Sequence, residues 1–70
     1  MRITYDSEVD ILYIRFIETT VITEHVADGV AVDYDSEGQI AGIEIMDTVK
    51  RFGTKEVFKK VTLEDIALHI

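Results

Sequence analysis

The run Asp33 to Glu44 reads DYDSEGQIAGIE, and the types and spacing of its residues could hold a calcium ion. A calcium loop of the helix-loop-helix kind takes acidic ligands at loop positions 1, 3 and 5, Gly at 6, an aliphatic residue at 8 and Glu at 12. Asp33, Asp35, Glu37, Gly38, Ile40 and Glu44 stand in those places, and only Glu37, where Asp or Asn is usual, departs. The carboxylates of Asp33, Asp35 and Glu37 are thus the candidate ligands of a weak divalent-cation site, and a pair of them could also serve acid-base chemistry.

Such a loop works only between two helices, whose geometry returns position 12 to the ion. Here both flanks look like strands. Val30, Val32 and Tyr34 alternate with Ala31 and Asp33, and Ile43 and Ile45 alternate with Glu44. A type I turn over Asp35 to Gly38, with Gly38 in a bulge, predicts Tyr34 opposite Ile40 and Asp33 near Ala41. Glu44 then lies three residues up the returning strand, about 10 Å away at roughly 3.4 Å per residue, beyond ligand distance.

An internal repeat points the same way. Tyr5 to Ile14 and Tyr34 to Ile43 both spell YDSE, two variable residues, Ile, two more and Ile. Laid on the calcium pattern, the first copy places Thr4 at position 1, Val9 at 6 and Arg15 at 12, so it keeps the turn and loses the ligands. What the copies share is one hairpin design used twice.

Other reactive constellations are weaker. The chain has no cysteine, and Ser7 and Ser36 sit in turns with no histidine near in sequence, which disfavours nucleophilic catalysis. His25 and His69 lack metal-ligand spacing to each other or to any Cys. No cofactor motif is present. Lys50 to Lys60 is the one basic run, with Phe52 and Phe58 interleaved, and reads as a solvated face over apolar residues rather than a nucleic-acid surface.

The elements that must carry these residues fit in one small domain of 70 residues, with 47% apolar side chains and no disulfide. A core this short is marginal alone, so a homodimer is expected. Residues 1 to 48 hold 11 acidic and 2 basic side chains, residues 49 to 70 hold 3 and 5; balances of -9 and +2 give the net charge of -7. An acidic body disfavours binding to phosphate backbones and leaves room for a basic protein partner. No stretch is apolar enough to cross a membrane or act as a leader, and the expected setting is the cytoplasm.

The predicted fold is α+β: an antiparallel β-meander of four or five strands over residues 1 to 46, then one or two short helices over 47 to 70, packed on the sheet or on a second subunit. Leu12 and Ile14 share one face with Phe16, and Ile11 and Tyr13 the other, as expected of an inner strand. Val21 to Val26 is a further strand, with a turn at Ala27-Asp28-Gly29. Asp47 or Thr48 can cap a helical turn that Gly53 ends, and Thr54 a second in which Val57 and Val61 lie four apart. Thr62 to Asp65 resembles a capping box before the stripe Leu63, Ile66, Ala67, Ile70.

RITYDSEVDILYIRF at the start, VADGVAVDYDSEGQIAGIEIMD in the middle and Thr48 to Phe52 after it together resemble the family of small prokaryotic proteins called domain of unknown function 2283. The resemblance covers about residues 1 to 52. It implies a sheet-rich α+β domain and supplies no activity, substrate or catalytic residue. It also implies, through members encoded beside small ribonuclease-like toxins, an antitoxin-like partner role. The reading at this point is a non-enzymatic protein-binding module acting through an acidic sheet and turn surface, with a weak cation-binding domain or carboxylate enzyme built on Asp33 to Glu37 as the alternative.

Overall fold

The computed structural model describes residues 1 to 64. Five strands follow one another along the chain: β1 (Arg2–Asp6), β2 (Ile11–Arg15), β3 (Ile22–Ala27), β4 (Val30–Tyr34) and β5 (Ile40–Ile45). All pair antiparallel in one sheet of spatial order β1-β2-β5-β4-β3. A two-stranded hairpin therefore lies beside a three-stranded meander. Residues 16 to 21 carry the chain from the inner strand β2 to the far edge, the return connection of a Greek key.

The expected strands form because apolar residues recur with period two, and the register sorts them onto one face. Ile3, Ile14, Ile43 and Val32 make one continuous cross-strand row, and Tyr5, Leu12, Ile45 and Val30 make the next. The opposite face carries Arg2, Arg15, Gly42, Asp33 and Thr23 in one row. Burial is greatest where β4 and β5 meet: among the described residues Ala31, Val32 and Ala41 are the buried apolar ones. Ile3, Ile22 and Ile40 remain exposed.

One register expectation fails by a residue. Tyr34 does face Ile40, but the ladder shifts between Tyr34 and Asp33, so Asp33 faces Gly42 rather than Ala41. Ala41 is the extra residue of a bulge, which moves every later pair by one place. Glu44 then stands two residues along from Asp33's partner, opposite Ala31 and Tyr13.

Past β5 come α1 (Thr48–Phe52) and the short 3-10 helix η1 (Lys55–Phe58). Gly53 ends α1 at φ 82°, its N–H donating to the Val49 carbonyl, as the sequence suggests. Thr54 caps η1, its hydroxyl accepting the Glu56 N–H at 3.1 Å. η1 stops at Phe58, so Val61 does not join it; Phe58 instead stacks on Tyr5 with ring centroids 4.0 Å apart. Residues 61 to 64 have no regular structure. The expected stripe through Ile66, Ala67 and Ile70, and His69, lies outside the described residues.

Candidate functional site

The registers fix where the two YDSE turns sit. Asp6 pairs with Ile11 at the end of the first hairpin, and Leu12 and Val30 both pair with Ile45 beside it. The first turn (residues 7 to 10), the turn at Asp28-Gly29 and the start of α1 therefore share one end of the sheet. The second turn, closing the pair Tyr34 and Ile40, is at the other end.

At the first turn the chain folds back through Asp10, at φ 57°. Left-handed backbone is tolerated by Asp better than by most residues. It aims the Asp10 carboxylate at the start of α1, where it accepts the Val49 N–H at 3.0 Å and the Tyr5 hydroxyl at 2.6 Å. Asp47, the residue preceding α1, makes no side-chain cap of its own, so Asp10 supplies the cap from 39 positions away. The Tyr5 and Val49 hydrogen bonds hold the Asp10 carboxyl below the usual carboxylate range. In return the hydrogen bond to Asp10, with partial burial and the nearby negative charges, pushes Tyr5 up to about 12.

Thr48 completes this junction. It is fully buried, donates its hydroxyl proton to the Ile45 carbonyl at 2.8 Å and accepts the Leu12 N–H at 3.1 Å. Its own N–H donates to the Asp10 carbonyl at 3.1 Å. Nearby, Arg51 donates from Nε to the Met46 carbonyl at 2.8 Å and from Nη2 to the Asp28 carbonyl at 2.7 Å. Gly29 itself takes φ 73°, the left-handed backbone for which glycine is favoured, and the Arg51 guanidinium packs close over it. This end is a fastening.

The second hairpin distributes its acids differently. Asp33, only 5% exposed, receives the Tyr13 hydroxyl on Oδ2 and the Thr23 hydroxyl on Oδ1. Tyr13 reaches it from β2 by lying over Gly42 of β5, where a Cβ would meet the Tyr13 hydroxyl at 2.9 Å. The Arg15 guanidinium sits 5.2 Å from the Tyr13 ring centroid and donates to the Thr19 carbonyl at 3.2 Å. Burial pushes the Asp33 carboxyl up, but the Thr23 and Tyr13 hydrogen bonds and the charge of Arg15 outweigh it and hold the carboxyl below its usual range. Burial and the bond to Asp33 hold Tyr13 as a phenol. The cluster ties β2, β4 and β3 together across β5, with both Asp33 oxygens already engaged.

Asp35 and Glu37 are elsewhere. Asp35 Oδ1 accepts the N–H groups of Glu37 and Gln39, each at 2.9 Å, while Gly38 at φ 78° donates to the Asp35 carbonyl. The turn is closed on itself, with Glu37 exposed at its tip. Of the three candidate ligands, then, Asp33 is committed within the sheet, Asp35 is committed in part to its own turn, and the Glu37 side chain has no partner among the described residues. Among the described residues no three His, Cys, Asp or Glu side chains are grouped to hold a metal. His25 is exposed on the edge strand opposite Ala31.

Sequence reasoning missed the Tyr13, Thr23 and Gly42 contributions and the roles of Asp10 and Thr48. A glycine inside an otherwise apolar strand, at Gly42, is the signal for the first group, because it marks close approach by a neighbouring group.

Beside the turn lies an open depression of about 400 Å³ lined by Ile22, Glu24, Tyr34, Asp35, Ser36 and Gly38. Its lining combines the apolar Ile22, 70% exposed, and Tyr34 with two carboxylates, Glu24 and Asp35. No ion pair among the described residues involves either Glu24 or Asp35.

A single antiparallel sheet, fastened at one end by short helices and open at the other, defines this as a small α+β domain. The chain belongs to the family described as "Protein of unknown function (DUF2283)", whose pattern it matches over residues 2–48. Neither the curated proteins nor the solved structures give a match. No helix among the described residues is long and apolar enough to cross a membrane.

Proposed function

We propose that the protein is a non-enzymatic, antitoxin-like module of the cytoplasm that binds a basic protein partner at the second YDSE turn. The observation that carries this reading is the depression beside that turn, which exposed Ile22 and half-buried Tyr34 line together with Glu24 and Asp35. Apolar surface with carboxylates beside it is complementary to Arg or Lys, which lay an aliphatic stem along the apolar part while the charged head reaches a carboxylate. The surrounding charge supports it, since residues 1 to 48 hold 11 acids against 2 bases. Such a field speeds encounter with a basic partner and repels acidic ones.

A catalytic reading has less support. Asp33 is the one buried carboxylate among the described residues, and both of its oxygens already accept hydroxyl protons. Those bonds and the charge of Arg15 hold its carboxyl below the usual range, so it takes a proton less readily than a free carboxylate does.

The test is coexpression, at native level, with the basic product of a neighbouring gene, followed by a binding titration of the purified pair. We expect a complex that weakens as salt rises from about 0.05 to 0.5 M, through screening of these carboxylates. Glu24→Lys should weaken it at least about tenfold without lowering the unfolding midpoint of the free protein. No complex, or one indifferent to both salt and Glu24→Lys, overturns the reading.

A further inference from the structure

The two edges of the sheet are built differently. β3, at one edge, carries devices that discourage another strand from pairing with it. Its ladder is irregular between His25 and Ala27, and Glu24, opposite Val32, sets a charge on the otherwise apolar face that an added strand would share. β1, at the other edge, has neither. Its five residues pair with β2 without a shift, from Arg2 opposite Arg15 to Asp6 opposite Ile11, and its apolar face presents Ile3 and Tyr5. Among the described residues no strand pairs with its outer side.

The sequence of β1 is RITYD, and it is complementary to itself when reversed. Two copies laid antiparallel about Thr4 place Arg2 of each opposite Asp6 of the other, Ile3 opposite Tyr5, and Thr4 opposite Thr4. Opposite charges, an aromatic against a β-branched residue and a threonine pair are the cross-strand combinations that stabilise a ladder. A two-fold axis can pass through either kind of antiparallel pair, so this register serves whichever amides of β1 point outward. Slipping the register by one residue, to Arg2 against Tyr5 in one direction or Ile3 against Asp6 in the other, turns the apolar faces of the two sheets to opposite sides and discards every favourable pair.

We infer that β1 is the docking edge for a second copy of this chain, joining two five-stranded sheets through an isologous β1-to-β1 ladder centred on Thr4. The depression at the second YDSE turn lies toward the far edge, formed partly by β3, so the dimer leaves it open on both copies. This inference does not depend on the partner proposed above.

Charge exchange tests it. Arg2→Asp sets two carboxylates against each other at both ends of the ladder, and Asp6→Arg sets two guanidinium groups there. Each single variant should raise the dimer dissociation constant by about tenfold or more, read by sedimentation equilibrium, since two favourable pairs become unfavourable. The double variant Arg2→Asp, Asp6→Arg should recover dimerisation. An equimolar mixture of the two single variants should assemble preferentially as a heterodimer, because each chain then meets its complement at both ends. Circular dichroism of each single variant checks that the fold persists, and should one fail to fold, the double variant and an intermolecular Ile3-to-Tyr5 NOE in mixed-labelled wild type decide the matter. A wild-type chain that stays monomeric at millimolar concentration overturns the inference, as does a dimer untouched by the single variants or lacking that NOE.

Discussion

The two YDSE turns begin with the same four residues and end in different trades. In the first, Glu8 donates its N–H to Asp6 at 2.9 Å; in the second, Glu37 does the same to Asp35 at 2.9 Å. The local chemistry is shared as far as the fourth residue. They part at the next two positions, Val9-Asp10 against Gly38-Gln39. Gly38 takes the left-handed backbone itself and the turn closes in its own hydrogen bonds. In the first copy the left-handed residue is Asp10, one place later, and its carboxylate is thereby delivered to α1. A change of one residue in where the chain reverses thus turns a free tip into a tertiary fastening.

The sharpest way to break this contrast is Thr48→Val, which keeps the shape and removes the hydroxyl at the fastened end. The Leu12 N–H and the Ile45 carbonyl lose their partner in a fully buried place, so a loss of about 1 to 3 kcal/mol is expected in urea denaturation.

Asp10→Asn is the next largest and carries a pH signature. The Asp10 carboxyl is held below 3.8 in the fold, so its stabilisation is present above that value and lost as pH falls below it. Tyr5 is raised from 10.0 to about 12, so its share is complete below 10 and lost as pH rises from there toward 12. Asp10→Asn should lower the urea midpoint at neutral pH, flatten the alkaline limb and shrink the acid limb, where Asp33 still contributes. An unchanged stability-pH curve would show that the junction is not held by this carboxylate.

At the second turn the effects should be small. Gly38→Ala places a Cβ in open space but at φ 78°, which costs about 1 kcal/mol from backbone strain alone. Glu37→Gln should stay within about 0.5 kcal/mol of wild type, because the side chain is exposed at the tip. A larger loss for Glu37→Gln than for Thr48→Val would reverse the assignment of the two ends.

The strands, the α+β class and the Gly53 and Thr54 boundaries were legible because each rests on local signals: alternation, a glycine where φ must be positive, a hydroxyl before a turn. The β2-to-β5 ladder was not, since nothing in either strand's alternation says which distant strand it will meet. The bulge at Ala41 depends on how turn geometry and ladder compete, and a period-two pattern is blind to it until one residue has slipped. Alternation did put Asp33 on the face opposite Val32. What it could not supply was that Tyr13 would cross Gly42 to reach it, so a residue that reads as a metal ligand or a solvated acid is a buried tie between strands. The sequence offers Asp47 or Thr48 as a cap, yet Asp47 makes no side-chain cap and the Thr48 hydroxyl serves the junction of β2 and β5 rather than the first turn of α1.

The seam between hairpin and meander has a consequence for how the chain folds. Every other ladder joins neighbours in sequence, but Leu12 meets Ile45 across 33 residues. The two local units can form within microseconds, whereas closing the seam requires the whole chain through β5 and bears the entropy of the long loop. On a ribosome the hairpin must wait, its inner edge unpaired, until Ile45 has emerged. Topology thus predicts that docking of the two halves is the slow step, with Thr48, three residues past β5 and bonded to both β2 and β5, holding the seam once it is closed.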